Sequence, residues 1–142
     1  MKIRIKKLHP AAKIPKYAKN GDAGMDLTCV DFSQAETYVE YDTGLAMEIP
    51  EGHVGFLFPR SSVSKTNLVL ANCVGVVDSG YRGPVKLRFK EINGPIGGRY
   101  KIGDRVGQIV IMPVPSFEFE EVSELTETSR GEGGFGSTNS RQ

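Results

Sequence analysis

Asp78 and Tyr81 lie three residues apart in the segment Asn72-Cys73-Val74-Gly75-Val76-Val77-Asp78-Ser79-Gly80-Tyr81-Arg82-Gly83. A carboxylate that closes so apolar a run is expected to be partly desolvated, which suits a general base for water. Equally, Asp78 opens a tight turn. Tyr81 is near enough to pack against whatever Asp78 acts upon, or it packs in the core. Asn72 carries a donor and acceptors together, the combination needed to read a base edge.

Three further polar segments interrupt the apolar runs. In Pro59-Arg60-Ser61-Ser62-Val63-Ser64-Lys65, a proline ends a strand and three serines follow where a short helix could begin. A helix N-terminus offers unpaired N–H groups, and Arg60 adds a bidentate contact; an N-cap with a surface arginine reads as well. Asp22-Ala23-Gly24-Met25-Asp26-Leu27 reads as a turn with two carboxylates, Asp26 capping backbone N–H groups. Gly103-Asp104-Arg105-Val106-Gly107-Gln108-Ile109-Val110-Ile111 places Gln108 inside an apolar strand. A buried glutamine needs a partner, either a ligand or a structural hydrogen bond.

The tail Arg130-Gly131-Glu132-Gly133-Gly134-Phe135-Gly136-Ser137-Thr138 contains the spacing of a dinucleotide-binding glycine fingerprint. That reading fails on context, because the fingerprint opens a helix inside a βαβ unit and six residues follow Gly136. One arginine, glycine-freed N–H groups, hydroxyls and a single aromatic suit a phosphate clamp closing over a site built elsewhere. Its glycine content predicts a flexible segment in the absence of ligand.

The elements that must position these residues are short strands. Alternation or apolar runs predict strands at Met1–Leu8, Thr37–Tyr41, Leu45–Ile49, His53–Phe58, Leu68–Leu70, Val74–Val77, Val85–Lys90, Arg105–Met112 and Phe117–Val122. Val77–Tyr81 and Val85–Lys90 read as the arms of a hairpin, and Ser61–Thr66 as the one short helix. Glycine supplies 17 of 142 residues, an excess that suits many tight turns. The expectation is an all-β chain, a jelly-roll type barrel over residues 1–129 with a flexible C-terminal arm over 130–142.

Net charge is +1, so no stable nucleic-acid binding is expected. Seven Lys or Arg precede the first acid, Asp22, whereas six Glu follow Ser116. These are two solvated ends, or ends that attract one another between subunits. Cys29 and Cys73 are read as two buried thiols in a reducing compartment, and His9 and His53 are isolated. With neither a secretory leader nor an apolar run near ~18 residues, a cytoplasmic protein without a membrane span is expected.

In order and combination, the segments A-G-M-D-L (23–27), P-R-S-S (59–62), G-V-V-D-S-G-Y-R-G (75–83), G-D-R-V-G-Q-I-V-I (103–111) and R-G-E-G-G-F-G-S-T (130–138) resemble the five motifs of the trimeric deoxyuridine triphosphate nucleotidohydrolases, the dUTPases. The resemblance implies a homotrimer with shared sites that hydrolyses dUTP to dUMP and pyrophosphate, supplying dUMP for thymidylate synthesis and keeping uracil out of DNA. It implies that Asp78 activates the water attacking the α-phosphorus and that Tyr81 stacks on deoxyribose, rejecting a 2′-hydroxyl. Uracil is read by main-chain groups of Val76, Val77 and Lys86, with Asn72 nearby. Arg60, Ser61, Ser62 and Gln108 hold phosphates from a second subunit. The arm of a third closes the site, with Phe135 and Gly136 at the uracil and Arg130 on the γ-phosphate. Mg²⁺ rides on the triphosphate, touched by Asp26 through water at most.

Gly80, Ser62 and Asp104 stand where many members of that family have Asp, Gly and Glu; Ser62 makes the phosphate loop bulkier. Deoxycytidine triphosphate deaminases share the fold but use a glutamate near the equivalent hairpin, and here Glu91 lies beyond it. A non-catalytic trimer that kept the fold is disfavoured by the intact Asp78, Tyr81 and Arg130.

Overall fold

The computed structural model describes residues 2–92 and 98–134. Its strands are β1 (Arg4–Lys7), β2 (Met25–Thr28), β3 (Asp31–Gln34), β4 (Val39–Asp42), β5 (Leu45–Glu48), β6 (His53–Phe58), β7 (Leu68–Leu70), β8 (Gly75–Val77), β9 (Lys86–Glu91) and β10 (Arg105–Pro113), with a 3-10 turn at Ser61–Lys65. Two four-stranded antiparallel sheets, in the orders β2-β10-β6-β8 and β3-β4-β9-β7, are joined by a β1–β5 ribbon. Leu27, Leu57 and Ile109 from the first sheet and Tyr41, Leu87 and Phe89 from the second belong to one core cluster. The fold is therefore the expected all-β, jelly-roll type barrel. Among the described residues no helix is long and apolar enough to cross a membrane.

Period-two alternation accounts for most of this. Val85, Leu87 and Phe89 are buried while Arg88 and Lys90 face out. Each such burial contributes about 1.5–3 kcal/mol, and a slip of one residue would turn all three to solvent. Tyr41 packs edge-on against Phe89 and Tyr100, at centroid distances of 5.8 and 5.7 Å.

Four expectations change. Asp26 lies inside β2 and not in a turn, and β3 is a fully exposed edge strand held by its pairing with β4; neither four-residue strand alternates between buried and exposed positions. Phe117–Val122 forms no strand. The Val114 N–H donates to Gly52 O at 2.8 Å, and beyond it the chain finds no neighbouring strand among the described residues, leaving Phe119 fully exposed. The expected hairpin is not one: β8 pairs with β6, β9 pairs with β4 and β7, and residues 78–85 cross between the sheets. Cys29 is buried, which pushes its thiol up to about 11, but Cys73 is exposed.

β10 departs from strict alternation at one point. Its pairing with β2 shifts between Arg105↔Thr28 and Gly107↔Leu27, so two residues of β10 oppose one of β2. Val106 and Gly107 consequently both turn inward, whereas Arg105 and Gln108 both turn outward. Only glycine fits at 107: a Cβ there would collide with Leu87 Cδ2 and lie 2.9 Å from Phe58 O. Gly107→Ala is expected to destabilise the fold by about 1–3 kcal/mol through overpacking, read as a lower urea midpoint at unchanged slope.

Candidate active site

The first cleft, of about 380 Å³, is lined by Lys16, Asp22, Asp26, Arg60, Arg105 and Gln108, among others. Register brings them together. Gln108 on β10 is opposite Asp26 of β2 on one side and Phe58 of β6 on the other, and Pro59-Arg60 follows Phe58 directly. Gln108 Nε2 donates to Pro59 O at 3.1 Å. A Cβ on Gly24 would overlap Gln108 Oε1, so Gly24 makes room for that side chain.

Asp26 is the electrostatic centre of this cleft. Its Oδ1 accepts from Arg60 Nε at 2.6 Å and its Oδ2 from Arg105 Nη1 at 3.0 Å. One half-buried carboxylate thus orients two guanidinium groups, each with further N–H donors to offer an anion. The sequence reading missed Arg105 because it stands three positions before Gln108, with two residues between, which in an unbroken strand means opposite faces. Ser61 opens the 3-10 turn and Ser62 is half-buried within it. Five residues make a weak dipole, so anion attraction here comes mainly from Arg60 and not from a helix end.

Among the described residues no cluster of three or more His, Cys, Asp or Glu could cage a metal. Both Asp26 oxygens already accept from arginines, so this carboxylate is committed to ordering guanidinium groups.

The second cleft, of about 620 Å³, is lined by Asn72, Val76, Val77, Tyr81, Lys86 and Glu40, among others. Val76 projects its side chain outward, 60 % exposed, while Val77 is buried and offers main-chain groups alone. Val85 cannot contribute main-chain donors, since its N–H donates to Leu45 O and its carbonyl accepts from Thr43 N and Oγ1. Asn72 sits in the β7–β8 connection beside Cys73, whose φ of 61° is left-handed. The Tyr81 hydroxyl donates to Pro84 O at 3.1 Å, and the ring covers Gly83 so closely that a Cβ there would overlap it. Asp78 follows β8 immediately and is exposed, not desolvated as expected, because the strand ends at Val77 and the chain turns into solvent.

Lys86, Glu40 and Arg88 form the charged wall of this cleft. Glu40 Oε1 accepts from Lys86 Nζ at 2.8 Å and Oε2 from Arg88 Nε at 2.7 Å, and Asp42 lies 3.4 Å from Lys86. The Lys86 bond, reinforced by Arg88, holds the Glu40 carboxyl below its ordinary range, and Glu40 in turn raises Lys86. Arg130 is brought to neither cleft, for its Nε donates to Gly133 O at 2.9 Å within its own turn. Phe135 and Gly136 lie outside the described residues.

A family model described as dUTPase matches residues 11–139. A deoxyuridine 5'-triphosphate nucleotidohydrolase of Wolinella succinogenes is 41% identical over 141 residues, covering 97% of this chain and 94% of that protein. The enzyme of the same description from Cutibacterium acnes is 40% identical over 129 residues, 88% of this chain and 84% of its own length. The dUTPase of Staphylococcus bacteriophage 80alpha, solved with dUpNHpp, superposes with a TM-score of 0.79 at 30% identity, covering 96% of this chain and 97% of that one. A phage phi11 dUTPase from S. aureus, described with a structural Mg(II) ion, superposes at 0.73 and 29% identity over 87% of this chain and 98% of that one.

Because Glu40 is depressed in the folded state, its stabilising contribution is complete above the ordinary value of 4.5 and is lost as pH falls through the depressed one. Thermal melts by circular dichroism should show a falling Tm between neutral pH and the acid range. Glu40→Gln should narrow that fall; an unchanged pH dependence would show that the cluster carries no linkage.

Proposed function

The chain belongs to the dUTPase family, and from that premise we propose that it hydrolyses dUTP to dUMP and pyrophosphate in sites shared between three copies. The observation that carries the shared site is the separation of the two clefts. No described residue lines both, and β8 and β2, which serve them, are the opposite edges of one four-stranded sheet. Three strand spacings of about 4.8 Å put those edges roughly 14 Å apart. A nucleoside cleft on one copy is completed most simply by the cationic cleft of another. The exposed apolar residues Phe117, Phe119, Val122 and Leu125 support assembly as a homotrimer, because such a run is ordinarily covered.

In this reading the base and sugar occupy the cleft of Asn72, Val76, Val77 and Lys86. The narrow main-chain wall excludes thymine's methyl and mismatches cytosine's donor–acceptor order; a polar group left unpaired costs about 1–3 kcal/mol. Tyr81, seated over Gly83, closes the space a 2′-hydroxyl would need. Asp78 accepts the proton of the water that attacks the α-phosphorus, its exposure in one copy ending when the neighbour and the nucleotide cover it. Arg60, Ser61, Ser62 and Gln108 of a second copy bind the phosphates, with Asp26 holding Arg60 in place. The arm, residues 130–142, leaves the barrel on the exposed stretch after Val114 and closes a neighbour's site, Arg130 on the γ-phosphate and Phe135 with Gly136 over the uracil. Mg²⁺ carried by the triphosphate would supply charge neutralisation on the leaving pyrophosphate, and Asp26 would approach it only through water.

Pyrophosphate release from dUTP, UTP, dCTP and dTTP with Mg²⁺ tests the reading. Turnover of dUTP far above the other three is expected; ammonia from dCTP, or no turnover of dUTP, would sink it. Asp78→Asn should abolish turnover while dUTP still binds by calorimetry, and equal loss of both would make Asp78 structural. Deleting residues 130–142 should leave the assembled barrel with little activity, whereas full activity would refute the closing arm.

A further inference from the structure

The turn carrying Asp78 and Tyr81 has little else to hold it. Tyr81 N–H donates to Asp78 O at 3.0 Å, closing one turn, and a Cβ at Gly80 would meet nothing within 4 Å. The turn is secured from outside by Arg82. Its Nη1 donates to Ser79 O at 2.7 Å and to Tyr81 O at 2.9 Å, clasping the carbonyls on either side of Gly80. Its Nη2 lies 3.6 Å from Glu48 Oε1, the same oxygen that accepts from Arg4 Nη2 at 2.6 Å. Arg4 and Glu48 are direct partners in the β1–β5 ribbon, so the turn is tied through one guanidinium to a fixed point on a different sheet.

We propose that Arg82, anchored by Glu48, is a positioning residue that sets sugar discrimination by holding the turn from which Tyr81 projects. Arg82 itself lines neither cleft described above; it acts through Tyr81, whose carbonyl it holds. The ring has two other constraints, its hydroxyl bond to Pro84 O and its seat on Gly83. Both lie on the downstream side of Tyr81. Upstream, the Tyr81 N–H holds Asp78 O and Arg82 holds Ser79 O, and Arg82 also holds the carbonyl of Tyr81 itself, so that it helps set the direction of the Cα–Cβ bond. A planar fork can bridge two carbonyls and a carboxylate at once, which an ammonium cannot do with the same geometry. Loosening the turn should therefore admit a 2′-hydroxyl more readily than it weakens binding of the base.

The inference rests on dUTP hydrolysis, so wild-type turnover is the control: a wild type inactive on dUTP defeats that reading and not this one. With active wild type, kcat and KM for dUTP and UTP are compared in Arg82→Gln, Arg82→Lys and Glu48→Gln on the full chain, beside Tm. Arg82→Gln should lower the dUTP-over-UTP preference in kcat/KM by ~10-fold, mostly through a gain on UTP, and Arg82→Lys should restore part of it. Glu48→Gln, which leaves both carbonyl bonds intact, should move the preference the same way by roughly 2–3-fold, and it serves as the test should Arg82→Gln fail to fold. An unchanged preference in the folded variants would overturn the proposal. So would losses on dUTP and UTP in equal proportion, tracking Tm, because that is the signature of a purely structural arginine.

Discussion

The two-against-one pairing of β10 with β2 is the constraint on which the cationic cleft depends. A regular strand sends residues 105 and 108 to opposite faces. The extra residue, Val106, lets both Arg105 and Gln108 face the cleft while Val106 itself stays in the core. The bulge is possible because Gly107 passes within reach of Phe58 O and Leu87, where no side chain fits. One glycine on the core side thus determines which side chains meet an anion on the other.

From there the arrangement spreads by pairing. Asp26 and Phe58 flank Gln108 across the sheet, and the chain leaving Phe58 delivers Arg60 to the same place. Asp26 then orders two arginines that would otherwise repel, leaving an array that is both cationic and preorganised. At the other edge of the sheet, β8 ends early and exposes Asp78, while the crossing segment 78–85 carries Tyr81 toward β9. The same jelly-roll crossing that separates the two clefts on one chain makes a single copy an incomplete site in the proposed reading.

Charge divides along similar lines. The wall formed by Glu40, Lys86 and Arg88 is internally compensated, each cation already holding a carboxylate oxygen, which fits a cleft for an uncharged base and sugar. The cleft around Arg60 and Arg105 is lined by two guanidinium groups and Lys16 against the carboxylates of Asp22 and Asp26, a cationic excess that fits phosphates. Neither balance can be seen in the net charge of +1.

Alternation in Val85–Lys90 determined that strand by itself, because an inward-outward repeat has one stable burial. The five ordered motifs likewise determined the family. β2 and β3 were invisible, since a strand carrying Asp26 or lying at an exposed edge is made by its neighbours' hydrogen bonds and not by its own hydrophobicity. Phe117–Val122 erred the other way, a strand-like pattern with no partner strand among the described residues. The bulge, the double salt bridge at Asp26 and the clasp of Arg82 on its own turn belong to tertiary structure alone. Each depends on the register between strands distant in sequence, and register is settled only when the two sheets close over a common core.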